Sequence, residues 1–278
     1  MNKFSLLLLV LIAAIPTSAH LSAQTIVPPP PLTETFFGET VSKKTAQDIV
    51  LKQMNFVSSR KAYPASLAVI QKHEKTIREA ARKYGVPEDV AIGVGLLENG
   101  GSETAKSPSG ALGVFQLMPG TARSLGLTVN SKMDERRDPA KNIDAGMRYL
   151  ALNYYRFGDW GLATWAYHAG EGNVAKALKL YAQANHGVNL PGIKNPEVTR
   201  SYVEKHGITI HKLLSSSAVK TLTKKLNDDS AGYPYKVLAT STLFAQGGNG
   251  VIKPPFKPNK AEASVRAGVI VVSGTKRL

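Results

Sequence analysis

The sequence has no cysteine. That excludes a disulfide framework, a thiolate metal site, a cysteine nucleophile and a lipid-modified cysteine at a signal cleavage site. Acidic residues are scarce: 20 Asp and Glu stand against 35 Lys and Arg, for a formal net charge of +15 over 278 residues. Such a surplus favours polyanionic partners, whether nucleic acid, an anionic membrane surface or a wall bearing carboxylates and phosphates. Long apolar runs are lacking except at residues 5–15, and that run is too short for a comfortable transmembrane helix. It follows Lys3 and precedes small residues ending at Ala19 or Ala23, the layout of a secretory signal peptide over residues 1–23. The competing reading is an uncleaved anchor. Either way the rest of the chain is expected in the periplasm or cell envelope, which argues against a nucleic-acid partner.

Four segments are expected. After the signal comes Val27-Pro28-Pro29-Pro30-Pro31, a polyproline-like stretch opening a linker over residues 24–65, with one short helix around Thr45 to Val57. Residues 66–214 read as helical throughout, so the fold class is mainly α. Leu67, Ile70, Ile77, Ala81 and Tyr84 recur at helical spacing, and Gly85 closes that helix. Pro87 opens the next, with Glu88 and Asp89 at the positive end of its dipole. Asp138-Pro139 starts another, with Ile143, Met147, Leu150 and Tyr154 as its apolar stripe. Residues 215–278 read as either a basic tail or a small β-containing appendage, with ten Lys/Arg against three Asp/Glu and two β-like segments, at 235–238 and 269–272. Tyr235-Lys236-Val237 followed by Thr242-Leu243 faintly resembles the start of a LysM glycan-binding repeat.

Glu98 is the first candidate for chemistry. It ends an apolar helix just before Gly100-Gly101, beside Leu96 and Leu97. Partial burial there would raise its pKa, as a general acid needs. Alone the signal is weak, because most helix-end glutamates are structural or solvated. Its context is a glycine-punctuated loop, Ser107-Pro108-Ser109-Gly110-Ala111-Leu112, running into Gly113-Val114-Phe115-Gln116-Leu117-Met118-Pro119. Gln116 there offers both a donor and an acceptor to sugar hydroxyls and N-acetyl groups. Further on, Ala166-Tyr167-His168-Ala169-Gly170 places Tyr167 and His168 on a short helix, where core packing is the plainer reading.

Taken together these segments resemble the catalytic domain of the soluble and membrane-bound lytic transglycosylases, a lysozyme-like fold. The family pattern is a catalytic Glu usually followed by Ser, then Gly-Leu-Met-Gln-Leu-Met-Pro, then Ala-Tyr-Asn-Ala-Gly, then a Glu-Thr-x-x-Tyr-Val helix. This chain has Glu98-Asn99, the 113–119 and 166–170 segments, and Glu197-Val198-Thr199-Arg200-Ser201-Tyr202-Val203, in the same order over residues 66–214. The resemblance implies Glu98 as the catalytic residue. It implies Gln116, Tyr167, His168 and Asn99 as substrate-binding groups, Phe115 as a residue packing against sugar, and Tyr202 near the Glu98 carboxyl. Asn99 and His168 depart from the usual Ser and Asn.

Glycosidases usually employ two carboxylates. Glu103, Asp134, Glu135 and Asp144 are possible seconds by sequence, and none pairs clearly with Glu98. The resemblance implies a one-carboxylate reaction on peptidoglycan glycan strands, forming a 1,6-anhydromuramyl end with no metal and no cofactor. A lysozyme-type hydrolase and a catalytically weak wall-binding or assembly module are the alternatives. A secretion or conjugation machine of the envelope is a further candidate partner.

Overall fold

Helical periodicity becomes helices almost everywhere it was expected. The computed structural model describes residues 32–226 and 229–247, so the signal-peptide segment, the proline run and the β-like segment at 269–272 lie outside the described residues. These residues form α1 (Leu32–Phe37), α2 (Lys43–Ser58), α3 (Tyr63–Tyr84), α4 (Glu88–Glu98), α5 (Pro119–Ser124), α6 (Pro139–Phe157), α7 (Trp160–Ala169), α8 (Glu171–His186), α9 (Pro196–Lys205), α10 (Ile210–Ser215), α11 (Ser217–Lys225) and α12 (Tyr233–Ala245). Among the described residues there is no strand, only isolated bridges such as Leu112 with Leu117. None of these helices is long and apolar enough to cross a membrane.

Sequence signals set the ends that matter for the site. Asp138 caps α6 by accepting from the Lys141 amide, with Pro139 in the first turn. The Asp159 carboxylate accepts from the Leu162 amide and caps α7. α4 is the centre of the arrangement, its residues 90–96 all buried. α3 and α12 both pack on it, α6 lies against α3, and α7 lies against α6, α8 and α12. The core joins Ile70 and Ile77 of α3, Val90 and Val94 of α4, Ile143 and Met147 of α6, and Trp165 of α7, all fully buried.

Two boundaries need correction. The segment read as a linker, residues 24–65, carries α1 and α2. Phe36 and Phe37 enter the core, and Met54 and Val57 pack with Ala239 and Leu243 of α12. Likewise the helical body does not stop at Leu214, and among the described residues no division falls near it. Residues 235–238, read as β-like, belong to α12, which is a single helix, so no LysM-like strand starts there. Tyr and Val favour strands only where a pleated, half-buried surface awaits them. Here Tyr233, Val237, Leu238 and Leu243 are buried between α2, α4 and α7, and packing decides. α12 crosses α4 at Gly93 so closely that a Cβ there would lie 2.5 Å from the Val237 carbonyl oxygen. Thr240 seals the crossing by donating to the Gly93 carbonyl at 3.0 Å.

Candidate active site

The last turn of α4 presents Glu98, and Asn99 fixes where that turn ends. Asn99 is fully buried. Its Nδ2 donates to the carbonyls of Gly95 at 2.8 Å and Ser66 at 3.1 Å, and its Oδ1 accepts from the Gly101 amide at 2.7 Å. Asn99 therefore caps α4 and pins it to α3. The expectation that it binds substrate is corrected, since every polar atom of its side chain is spent inside the protein.

The Glu98 carboxyl is enclosed by protein on most sides, and burial pushes its pKa up from 4.5 to about 7. The opposing influence is Tyr233 of α12, whose hydroxyl donates to Glu98 Oε1 at 2.6 Å. Tyr167 of α7 also lies close enough for the Glu98 charge, after burial, to raise its pKa well above the ordinary phenol value. No second carboxylate acts on Glu98 among the described residues. The sequence-level alternatives are committed elsewhere. Glu103, Asp134 and Glu135 are held below the usual carboxylate range by bonds from Lys72, Arg136 and Lys141. Burial raises Asp144, but bonds from Lys83 and Tyr84 outweigh it.

The motif segment forms the neighbouring wall. Gly113 adopts φ +90°, and a Cβ there would meet Asn142 Nδ2 at 2.3 Å and the Arg136 carbonyl at 2.5 Å. Asn142 holds the segment by accepting from the Phe115 amide and donating to the Leu112 carbonyl. Arg136 donates to the carbonyls of Gly110 and Leu117, both at 2.8 Å. So braced, Gln116 sits at φ +43°, a conformation that a non-glycine residue keeps only when its surroundings enforce it. Its Nε2 donates to the carbonyls of Ala105 at 2.7 Å and Gly113 at 2.9 Å. Tyr167 donates to the Phe115 carbonyl at 2.6 Å. Gln116, Tyr167 and His168 line one open cleft together with Met118, Tyr149 and Glu171.

Two further expectations are corrected. Phe115 is fully buried, packed against Gly95 and against Gly146, where its ring leaves no room for a Cβ at Gly146. It holds α4 to α6 and is not a sugar-stacking surface. Tyr202 is not the tyrosine at the Glu98 carboxyl either. Its hydroxyl pairs with His186 Nδ1 and its ring lies beside His206, while Tyr233 occupies the expected place. His168 stands at the cleft, but one face of its ring stacks on Tyr233, centroids 4.3 Å apart. Sequence reading missed Tyr233, Tyr149 and Glu171. Nothing in the chain around Tyr233 links it to Glu98, 135 residues earlier. Glu171 stands directly after the motif glycine Gly170, so proximity was its one available signal.

The Tyr233 bond has a testable sign. A hydroxyl donated to a carboxylate favours the ionised form, so it restrains the rise that burial imposes on Glu98. Tyr233→Phe should shift the alkaline fall of kcat/KM to higher pH than in the wild type. A pH–rate profile on soluble glycan checks it, and an unchanged or acid-shifted limb would contradict it.

Comparison with known proteins follows the same residues. Residues 75–188 match the model of the Transglycosylase SLT domain. The chain is 30% identical over 125 residues to the membrane-bound lytic murein transglycosylase D of Escherichia coli (strain K12), a span of 45% of this chain and 27% of that protein. It is 35% identical over 129 residues to a transglycosylase of Enterobacteria phage PRD1, covering 45% of this chain and 46% of that protein. The chain thus spans less than half the length of these curated relatives. Among solved structures, the lytic transglycosylase Slt of Pseudomonas aeruginosa aligns at 21% identity with a TM-score of 0.44, over 75% of this chain and 31% of that one. Glu98, the 113–119 segment and the 166–170 segment all fall inside the matched span, so residues 75–188 are what this chain has in common with the transglycosylase SLT domain.

Proposed function

We propose that the protein is a peptidoglycan lytic transglycosylase of the cell envelope, with Glu98 as both general acid and general base. The observation that carries the reading is a carboxyl raised to about 7 by burial, with no carboxylate among the described residues acting on it. At neutral pH such a group holds a proton in a substantial fraction of molecules and can also accept one, so one residue can serve both steps. The names of the murein transglycosylase relatives support the substrate class and the envelope location.

The chemistry then runs as follows. Protonated Glu98 donates to the oxygen bridging N-acetylmuramic acid and N-acetylglucosamine as that glycosidic bond breaks. The substrate's own N-acetyl group eases the positive charge at the anomeric carbon. Glu98, now ionised, takes the proton of the muramyl 6-hydroxyl, whose oxygen bonds to the anomeric carbon and closes a 1,6-anhydro ring. Glu98 ends protonated, as it began. The attacking oxygen is already tethered to the reacting sugar, so no second carboxylate has to activate water.

Digestion of purified sacculi followed by mass spectrometry tests the proposal. The expected products carry 1,6-anhydromuramyl ends and lack new reducing ends. Reducing muramyl ends would identify a hydrolase instead, and binding without turnover would identify a wall-binding module.

A further inference from the structure

The cleft lined by Tyr167, the neighbour of Glu98, has an unusual polarity. Gln116 spends both amide hydrogens on backbone carbonyls. Tyr167 spends its hydroxyl hydrogen on the Phe115 carbonyl, and Tyr149 donates its own to Glu171 Oε2 at 2.8 Å. What these side chains leave toward the cleft they share are lone pairs. Glu171 is the charged member of this set. It begins α8, is part-exposed, and forms no ion pair among the described residues, in a chain whose net charge is +15. Tyr149 anchors one carboxylate oxygen, and the ring of Tyr149 in turn lies against Tyr167, centroids 5.1 Å apart. The second oxygen is left for a ligand. Exposed Met118 supplies an apolar surface in the same cleft.

Acceptors at Gln116, Tyr149, Tyr167 and Glu171 favour a ligand that brings donors to that side of the cleft. We infer that Glu171 is a substrate-binding carboxylate that accepts hydrogen bonds from hydroxyl or amide N–H groups of the saccharide next to the scissile bond. The inference rests on the glycan-cleaving reading above and deepens it. Glu171 performs no proton transfer; it holds the sugar in the register that presents the bridging oxygen to Glu98. Because its contact exists before and during reaction alike, its loss weakens binding more than turnover.

The test uses a soluble, peptide-free peptidoglycan tetrasaccharide and the full chain. Glu171→Ala removes the acceptor, and KM should rise about 10- to 100-fold, the scale of a hydrogen bond to a charged group, with kcat much less affected. Glu171→Gln separates this role from a structural one. Its carbonyl still accepts from Tyr149, so a purely structural role predicts wild-type kinetics. Substrate recognition predicts a raised KM, because the amide now turns N–H donors toward a donor-bearing ligand. Melting temperature should be near wild type for Glu171→Gln. Wild-type KM in Glu171→Gln overturns the inference alone. A defect confined to peptide-bearing glycan also overturns it, since the group read would then be a peptide ammonium. A wild-type protein that neither binds nor cleaves the tetrasaccharide overturns both this inference and the function beneath it.

Discussion

Glu98→Gln is expected to abolish glycan cleavage while leaving the fold and wall binding intact. The amide keeps the size of the side chain and can still accept from Tyr233, so the end of α4 should not move. What it loses is the proton that must be given to the bridging oxygen and then recovered. General acid–base help is typically worth about 10²–10⁴-fold, and in the proposed reaction one group serves both steps, so turnover should fall by at least that factor. A second, independent readout comes from stability. The folded-state pKa of Glu98 is raised from 4.5 to about 7, so the folded protein binds the proton more tightly than the unfolded chain. The stabilisation this gives is complete below the unfolded value and is lost as pH rises through the folded value. Gln cannot ionise. The melting temperature of Glu98→Gln relative to wild type should therefore climb between about pH 4.5 and 7 and level off above. Substantial residual cleavage by the variant would mean that another group carries the chemistry.

Truncation after Leu214 is the second large effect, and it should cost both the fold and turnover of soluble glycan. The cut removes α11 and α12 and with them the buried side chains of Val219, Leu222, Tyr233, Val237, Leu238 and Leu243. At about 1.5–3 kcal/mol for each large apolar side chain buried, these six represent roughly 9–18 kcal/mol. A typical domain is stable by only about 5–15 kcal/mol in total. The truncation also uncovers the Gly93 face of α4 and takes away the Tyr233 hydroxyl from Glu98. Circular dichroism melts and a soluble-glycan assay on the shortened chain check this. A folded, active fragment ending at Leu214 would show that α12 merely rests on the body.

What could be read from the sequence follows from how each element meets water. α3 and α6 are each buried on one side, so their apolar residues recur at helical spacing and their ends carry recognisable signals, Gly85 and Asp138-Pro139. α12 is enclosed on several sides at once, with Val237 to Ser241 all buried. A helix without a wet face shows no period, and its Tyr and Val residues then look like a strand. The site divides in the same way. Glu98, Gln116 and Tyr167 sit in local motifs; Gln116 and Tyr167 line the cleft, and Glu98 lies against Tyr167. Phe115 and Asn99 sit in the same motifs, but their side chains turn inward and serve as packing and cap. Motif membership does not say which way a side chain points. Tyr233 and Glu171 were hidden for another reason, because their partners are set by tertiary packing, which local spacing cannot encode.

The long reach of the bond from Tyr233 to Glu98 also bears on when the enzyme becomes competent. A chain emerging from the ribosome makes the acid 135 residues before the tyrosine that tunes it. At the usual 5–20 residues per second this separation takes roughly 7–27 s. During that interval α4 lacks the helix that covers Gly93, and the Glu98 carboxyl lacks its partner. Chains that have not yet reached α12 therefore lack both the cover of Gly93 and the hydroxyl at Glu98.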